Sequence, residues 1–286
     1  MKNGLKEEYP MKIITDTTTL FTPMEGKMAG MTIIPVCIIL DGSTYKDYED
    51  ISSEEFLELI NAGGKPTSSQ PSIGDILEIY QSSEEEMLVI TVGDGLSGGY
   101  QTACGARNLI SNPERIHVMD SKTLAGPLRY LAKKAVFMKE QGFDISSIKE
   151  SLELSIESSA SFIIAEDFQF LKRSGRLTPL AAKIGGALKL LPVLTQTSDK
   201  TRIKPITVKR TWKAAIEVII HELKEQGVNE EYIISVCHAG TYDRACSISQ
   251  QLGVVFLKSE IEILTLSPAL ITHGGPGCIV VQAIKK

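Results

Sequence analysis

Ser97 lies in the run Gly93-Asp94-Gly95-Leu96-Ser97-Gly98-Gly99, between the apolar stretch Val89-Ile90-Thr91-Val92 and the helix-forming stretch Gln101-Thr102-Ala103. A strand that passes through glycines into a helix start leaves backbone N–H groups unpaired and aims the positive end of the helix dipole at one point. Such a point attracts an anion: a phosphate, a carboxylate, or the oxyanion of an acyl transfer. Ser97 adds a hydroxyl, while Gly98 and Gly99 keep side chains out of a ligand's way. The chain has no GxxxxGK[ST], and these glycines do not fit GxGxxG in the dinucleotide register. ATP held by this chain alone is therefore disfavoured, and a carboxylate or small oxyanion is the natural guest.

Gly95-Leu96-Ser97-Gly98-Gly99 also satisfies GxSxG, and His273-Gly274-Gly275-Pro276-Gly277 looks like an esterase oxyanion loop. The order is wrong, because in such enzymes the HGG loop precedes the nucleophile. A serine esterase with Ser97 as nucleophile is the alternative reading. Further clusters are Pro66-Thr67-Ser68-Ser69-Gln70-Pro71-Ser72, which reads alone as a capped loop, and Lys172-Arg173-Ser174-Gly175-Arg176-Leu177, which suits an anion or a partner. Lys209-Arg210-Thr211 places cations where they oppose a helix dipole. His273, flanked by flexible glycines, is expected to face a ligand, donating to a carboxylate or titrating near neutral pH.

The elements that must position these groups alternate between short apolar runs and helical patterns, which indicates an α/β protein. Strands are expected at 12–15, 33–40, 87–92, 116–119, 162–165, 203–208, 232–237, 254–257, 261–265 and 278–282. Ser52 with Glu55 makes a capping box, with Ile51 stapled onto Phe56 and Gly63 as the stop. Ser72 caps a helix toward Gln81, and Thr211 caps one that ends before Gly227 and buries Ala215, Val218, Ile219 and Leu223. Residues 146–161 read as a helix with Leu152, Leu154 and Ile156 as its apolar members, and the domain boundary is expected at its end. The expectation is an N-terminal α/β domain, 1–160, and a C-terminal α/β domain, 161–286, with the ligand at strand ends between them.

At 286 residues, 43% hydrophobic content and a formal net charge of −5, the chain has an ordinary globular composition without a basic surface for nucleic acid. No apolar stretch approaches the ~20 residues of a spanning helix, and the charged N-terminus lacks a signal-peptide core. Five cysteines without a CxxC pair or metal-ligand spacing fit reduced thiols in a cytoplasm. No metal and no cofactor is expected.

Together the clusters resemble the DegV family, the fatty-acid-binding proteins that form the acyl-carrier half of bacterial fatty acid kinase. The resemblance runs from Ile14-Thr15-Asp16-Thr17-Thr18 through Pro35-Val36, Tyr45-Lys46-Asp47, Ser68-Ser69-Gln70-Pro71-Ser72 and Leu96-Ser97-Gly98-Gly99-Tyr100-Gln101-Thr102-Ala103. It continues with Asp120-Ser121, Gly175-Arg176-Leu177, Lys209-Arg210-Thr211 and His273-Gly274-Gly275-Pro276-Gly277. Ser68 and Gly99 stand where the family usually has threonine, and Thr17 where it has serine.

The resemblance implies a two-domain DegV-like fold: an N-terminal mostly parallel sheet with flanking helices, and a C-terminal lipid-binding domain. One long-chain fatty acid would lie in a tunnel between or within them. It further implies that Ser68, Ser69, Ser97, the N–H of Gly98 and His273 bind the carboxylate, and that Arg176 and Arg210 order the headgroup and engage a fatty acid kinase catalytic subunit. That subunit would supply ATP and make the acyl phosphate, so this chain would not itself turn over substrate, would serve phospholipid synthesis and would touch membranes transiently. An acyl-chain sensor without a kinase partner is a further alternative. Phe162, Phe168, Phe170, Leu188 and Leu190 are the expected tunnel wall.

Overall fold

The computed structural model describes residues 11–183 and 190–286. In chain order the first half comprises β1 (Met11–Asp16), α1 (Pro23–Met28), β2 (Met31–Ile34), β3 (Cys37–Leu40), β4 (Ser43–Lys46), α2 (Ser53–Asn61) and β5 (Pro66–Ser69). It continues with α3 (Ile73–Gln81), β6 (Glu86–Thr91), α4 (Gly99–Arg107), β7 (Ile116–Asp120), α5 (Ala125–Glu140) and α6 (Ile145–Glu157). The second half comprises β8 (Ala160–Ile164), α7 (Phe168–Ser174), α8 (Pro179–Ala182), β9 (Leu191–Gln196), β10 (Ile203–Lys209) and α9 (Trp212–Glu225). It ends with β11 (Tyr232–His238), α10 (Tyr242–Val255), β12 (Glu260–Thr265), α11 (Pro268–Gly274) and β13 (Ile279–Lys285).

The first sheet has the order β2-β1-β6-β7, and every pairing in it is parallel. Parallel strands are buried on both faces, and β1 and β6 are accordingly buried along almost their whole length. On one face Met11, Ile13, Leu88 and Ile90 pack with Leu128, Leu131, Ile148 and Leu152 of α5 and α6. On the other, Ile14, Met87 and Val89 pack with Ile76 and Tyr80 of α3 and Ala103 and Ala106 of α4. The second sheet, β10-β9-β8-β13-β11-β12, is antiparallel except for β11 with β12. One face carries α9 and α10 through Ala215, Ile216, Ile219, Ile248 and Leu252.

Its other face meets the first half. Ile163, Leu194, Cys237 and Val280 pack there with Phe56 of α2, Ile38 of β3, Leu171 of α7 and Ile271 of α11. The residues of β3 belong to a small antiparallel sheet, β4-β3-β5, that leans on this layer. The result is an α/β protein with a parallel sheet, a mixed sheet and a shared core between them.

The expected caps are present. Ser52 and Glu55 satisfy both arms of the box, Ser72 accepts from the Asp75 N–H, and Thr211 accepts from the Ala214 N–H. Several expectations need correction. Residues 33–40 do not form one strand: proline lacks the N–H a ladder needs, and at Pro35-Val36 the chain leaves the parallel sheet for the small one. Residues 254–257 are not a strand but the end of α10 and the turn after it, with Val254 76% and Leu257 82% exposed. Strands β4, β5 and β9 lie where none was expected. In α6, Leu154 faces solvent rather than the core, while Leu152 and Ile156 are buried.

Candidate functional site

A cavity of about 1040 Å³, open solvent at its mouth included, lies in the layer between the two larger sheets. Four segments build its polar end. Ser68 and Ser69 close β5, whose polar sequence is held as a strand by pairing with β3, Ser68 opposite Ile38 and Ser69 opposite Cys37. Ser97 and Gly98 come from the turn between β6 and α4, where the Leu96 and Ser97 N–H groups both donate to the Gly93 carbonyl. Gly95 in that turn has φ +84°, and a Cβ there would stand 2.8 Å from Thr201, so only glycine fits. Ser174 and Arg176 follow from α7 and the residues after it, and His273 comes from the last turn of α11.

These groups are tied to one another. The Ser68 Oγ and His273 Nε2 are hydrogen-bonded at 2.7 Å. The Arg176 Nε donates to the Leu96 carbonyl at 2.9 Å, and another guanidinium nitrogen donates to the Ser174 carbonyl. Ser97 Oγ accepts from the Gly99 N–H at 3.3 Å, so Ser97 partly caps the helix it precedes. Burial, then the Arg176 charge, pushes the His273 imidazole down to about 3, which leaves it neutral at physiological pH. Among the described residues lining the cavity Arg176 is the one charged side chain; Val36, Leu124, Ile163, Leu171, Leu266 and Val280 are among the apolar ones, and Thr18, Gln70, Ser161 and Gln196 add uncharged polar groups.

A positive charge, hydroxyls and a neutral imidazole at one end of a greasy cavity suit an amphiphilic anion. The arrangement suits ester hydrolysis less well. Ser97 has no histidine partner among the described residues, since His273 bonds Ser68 instead. A triad histidine is drawn toward protonation by a carboxylate, whereas the charge beside His273 is a guanidinium that opposes protonation.

The structure thus brings Ser68, Ser69, Ser97, Gly98, Arg176 and His273 to one cavity. It does not bring Arg210 there: that residue is exposed in the turn between β10 and α9. His273 sits in a helix rather than a flexible loop, and its imidazole does not titrate near neutral pH. The glycines after it serve close packing: Gly275 has φ +77°, and a Cβ there would come within 2.6 Å of the Phe170 ring.

The expected tunnel wall also changes. Phe162 is fully buried but belongs to the α9 and α10 side of the sheet, because its neighbours Ser161 and Ile163 take the cavity face and side chains alternate along a strand. Phe168 is buried in the shared core without lining the cavity, and Phe170 lines an adjoining outer one. Leu190 is half-buried and does not line the cavity, and Leu188 lies outside the described residues. Alternation along the strand sets Phe162 and Ile163 on opposite faces, but which face meets the cavity depends on the packing of the sheet. Leu266, Ala269 and Leu270 also line the cavity, and no local pattern in the sequence marks them for it. Among the described residues no cluster of three His, Cys, Asp or Glu side chains could hold a metal, and no helix is long and apolar enough to cross a membrane.

A family model described as an uncharacterised protein of the DegV family matches residues 10–286. A DegV domain-containing protein of Clostridium acetobutylicum is 28% identical over 277 residues, covering 94% of this chain and 95% of the relative. The crystal structure of a fatty-acid-binding DegV family protein from Streptococcus agalactiae superposes with a TM-score of 0.84 at 26% identity, covering 97% and 99% of the two chains. A DegV family protein from Ruminococcus gnavus, solved with vaccenic acid, gives 0.84 at 25% identity, covering 95% and 99%.

Proposed function

The chain belongs to the DegV family, and from that premise we propose that it is a carrier that binds one long-chain fatty acid and presents the carboxylate to a separate ATP-dependent kinase, which makes the acyl phosphate. The observation that carries the reading is one cavity in which Ser68, Ser97, His273 and the single charged side chain, Arg176, are gathered, while most of the other lining residues are apolar. Burying a methylene is worth ~0.8 kcal/mol, so a dozen contribute on the order of 10 kcal/mol before ordering costs. The carboxylate would lose its hydration on burial and needs charge-assisted partners in return. In this reading the Arg176 guanidinium, the Ser68, Ser69 and Ser97 hydroxyls and the Gly98 N–H supply them, and neutral His273 fixes the Ser68 hydroxyl.

The relatives solved as fatty-acid-binding proteins support the ligand class. The kinase is inferred from the chain's lack of a nucleotide motif of its own and from the position of the polar end beside an outer opening. Arg210, exposed and outside the cavity, serves in this reading as a contact for that partner. Five free thiols suit a reducing cytoplasm as the place of action.

Native mass spectrometry of protein purified without detergent tests the ligand: an added mass that dissociates as a long-chain fatty acid is expected. A ligand-free spectrum from lipid-replete cells, together with no binding of added oleate, would sink the proposal. Affinity capture with the wild type as bait, compared with Arg210→Glu, tests the partner. An acyl-chain sensor would show the ligand but capture no ATP-dependent enzyme.

A further inference from the structure

Outside the carboxylate end lies a second cavity, contiguous with the first through Ser68, Ser174, Arg176 and His273. Its outer wall adds Lys65, Thr67 and Arg173, and no aspartate or glutamate lines it among the described residues. Three cations therefore line one opening, and among the described residues none of them pairs with a carboxylate within 4.0 Å. Arg173 is steadied over the Phe170 ring, its guanidinium carbon 4.5 Å from the centroid, and Arg176 is fixed by the Leu96 and Ser174 carbonyls. Lys65 and Arg173 are exposed, so their mutual repulsion is screened, but cations lining one opening without a carboxylate among them attract an anion to it. A single carboxylate in the inner cavity needs only Arg176 and the hydroxyls, which leaves Lys65 and Arg173 without a role in binding a fatty acid.

We infer that this outer cavity is a phosphoryl subsite, in which Lys65, Arg173 and Arg176 hold the phosphate of an acyl phosphate while the acyl chain stays in the inner cavity. The inference rests on the fatty-acid reading and extends it. In the step concerned, a carboxylate oxygen forms a bond to the terminal phosphorus of a nucleoside triphosphate held by the partner. The bond from that phosphorus to the bridging oxygen breaks, and the nucleoside diphosphate leaves with the electron pair. The product replaces one negative charge by about two, placed one bond length further toward Lys65 and Arg173. The outer cations therefore distinguish product from substrate, and they keep the labile anhydride paired until it is passed on.

The test uses delipidated protein and two ligands measured by calorimetry: palmitate, and 2-oxoheptadecylphosphonate, a non-hydrolysable analogue that keeps the acyl carbonyl and replaces the bridging oxygen by a methylene. In the wild type both bind. The double variant Lys65→Met with Arg173→Met is expected to weaken the phosphonate at least tenfold and to change the palmitate Kd less than twofold, with circular dichroism unchanged. The wild-type phosphonate Kd should also rise more steeply with salt than that of palmitate. If palmitate binds but the double variant leaves phosphonate affinity unchanged, or weakens both ligands alike, the phosphoryl subsite is overturned while the carrier reading stands. If the wild type binds neither ligand, the carrier reading itself fails.

Discussion

At the scale of single residues, two buried groups of opposite type set the pH response. Asp47 is fully buried, its Oδ2 has no partner among the described residues, and burial pushes its carboxyl up to about 7. A raised carboxyl means that the folded state binds more protons than the unfolded one between about pH 4 and 7, so this contribution to stability fades as pH rises through that window. His273, pushed down to about 3, acts the other way: the unfolded chain binds more protons between pH 3 and 6.5, so its contribution fades as pH falls. Each slope approaches ~1.4 kcal/mol per pH unit, and in the wild type the two oppose each other. Denaturant melts across pH 4 to 7 should therefore show the His273→Gln variant losing stability, relative to wild type, as pH rises, and the Asp47→Asn variant gaining it. A bound carboxylate favours imidazolium, so adding fatty acid should raise the His273 pKa in a histidine NMR titration; a value unmoved by ligand would separate His273 from the headgroup.

At the scale of elements, α11 is the part that converts local structure into a site. Its N-terminus is fastened to the first half by the Ala269 N–H donating to Asp47 Oδ1 at 3.3 Å and the Ser53 hydroxyl donating to the Leu266 carbonyl at 2.9 Å. Its C-terminal end carries His273 to Ser68 on β5. Asp47→Ala removes the first tie, and the expected outcome is about a tenfold weaker fatty acid Kd although Asp47 does not line the cavity, with Asp47→Asn close to wild type at neutral pH. The stop of α11 is equally constrained. Gly275→Ala puts a side chain at φ +77° against the Phe170 ring and should cost about 2 to 4 kcal/mol in a denaturant melt. At this scale the sequence was readable where a signal is local. The caps at Ser52, Ser72 and Thr211 depend on a side chain and a backbone N–H three residues away. It was unreadable where one short apolar run fits two periods, as at 254–257, or where a polar run becomes a strand only because a neighbour pairs with it, as at β5.

At the scale of the whole molecule, the site belongs to neither half. Ser68 and Ser97 come from the part before residue 160, and Arg176 and His273 from the part after it. We place the domain boundary near residue 160, at the turn between α6 and β8. Fragments divided there, at Ser158, should each fail to bind fatty acid when purified alone and recover binding when co-expressed, as read by retention of a labelled fatty acid on gel filtration. Binding by the second fragment alone would show that the parallel-sheet half is dispensable for the headgroup.

What the amino-acid order determined by itself was the inventory and its local geometry: a glycine turn into a helix carrying Ser97, hydroxyls at Ser68 and Ser69, an arginine after Ser-Gly, a histidine before a glycine run, and an α/β alternation to hold them. Those features arise from contacts a few residues apart. What the tertiary structure decided was which of them meet: Ser68 pairs with His273, Arg176 reaches the Ser97 turn, Arg210 stays outside, and Phe162 turns its back on the cavity in favour of Ile163. The reason is that sheet order and packing across the shared core join segments far apart in the chain, and neither leaves a local trace in the composition or spacing of the residues that come together.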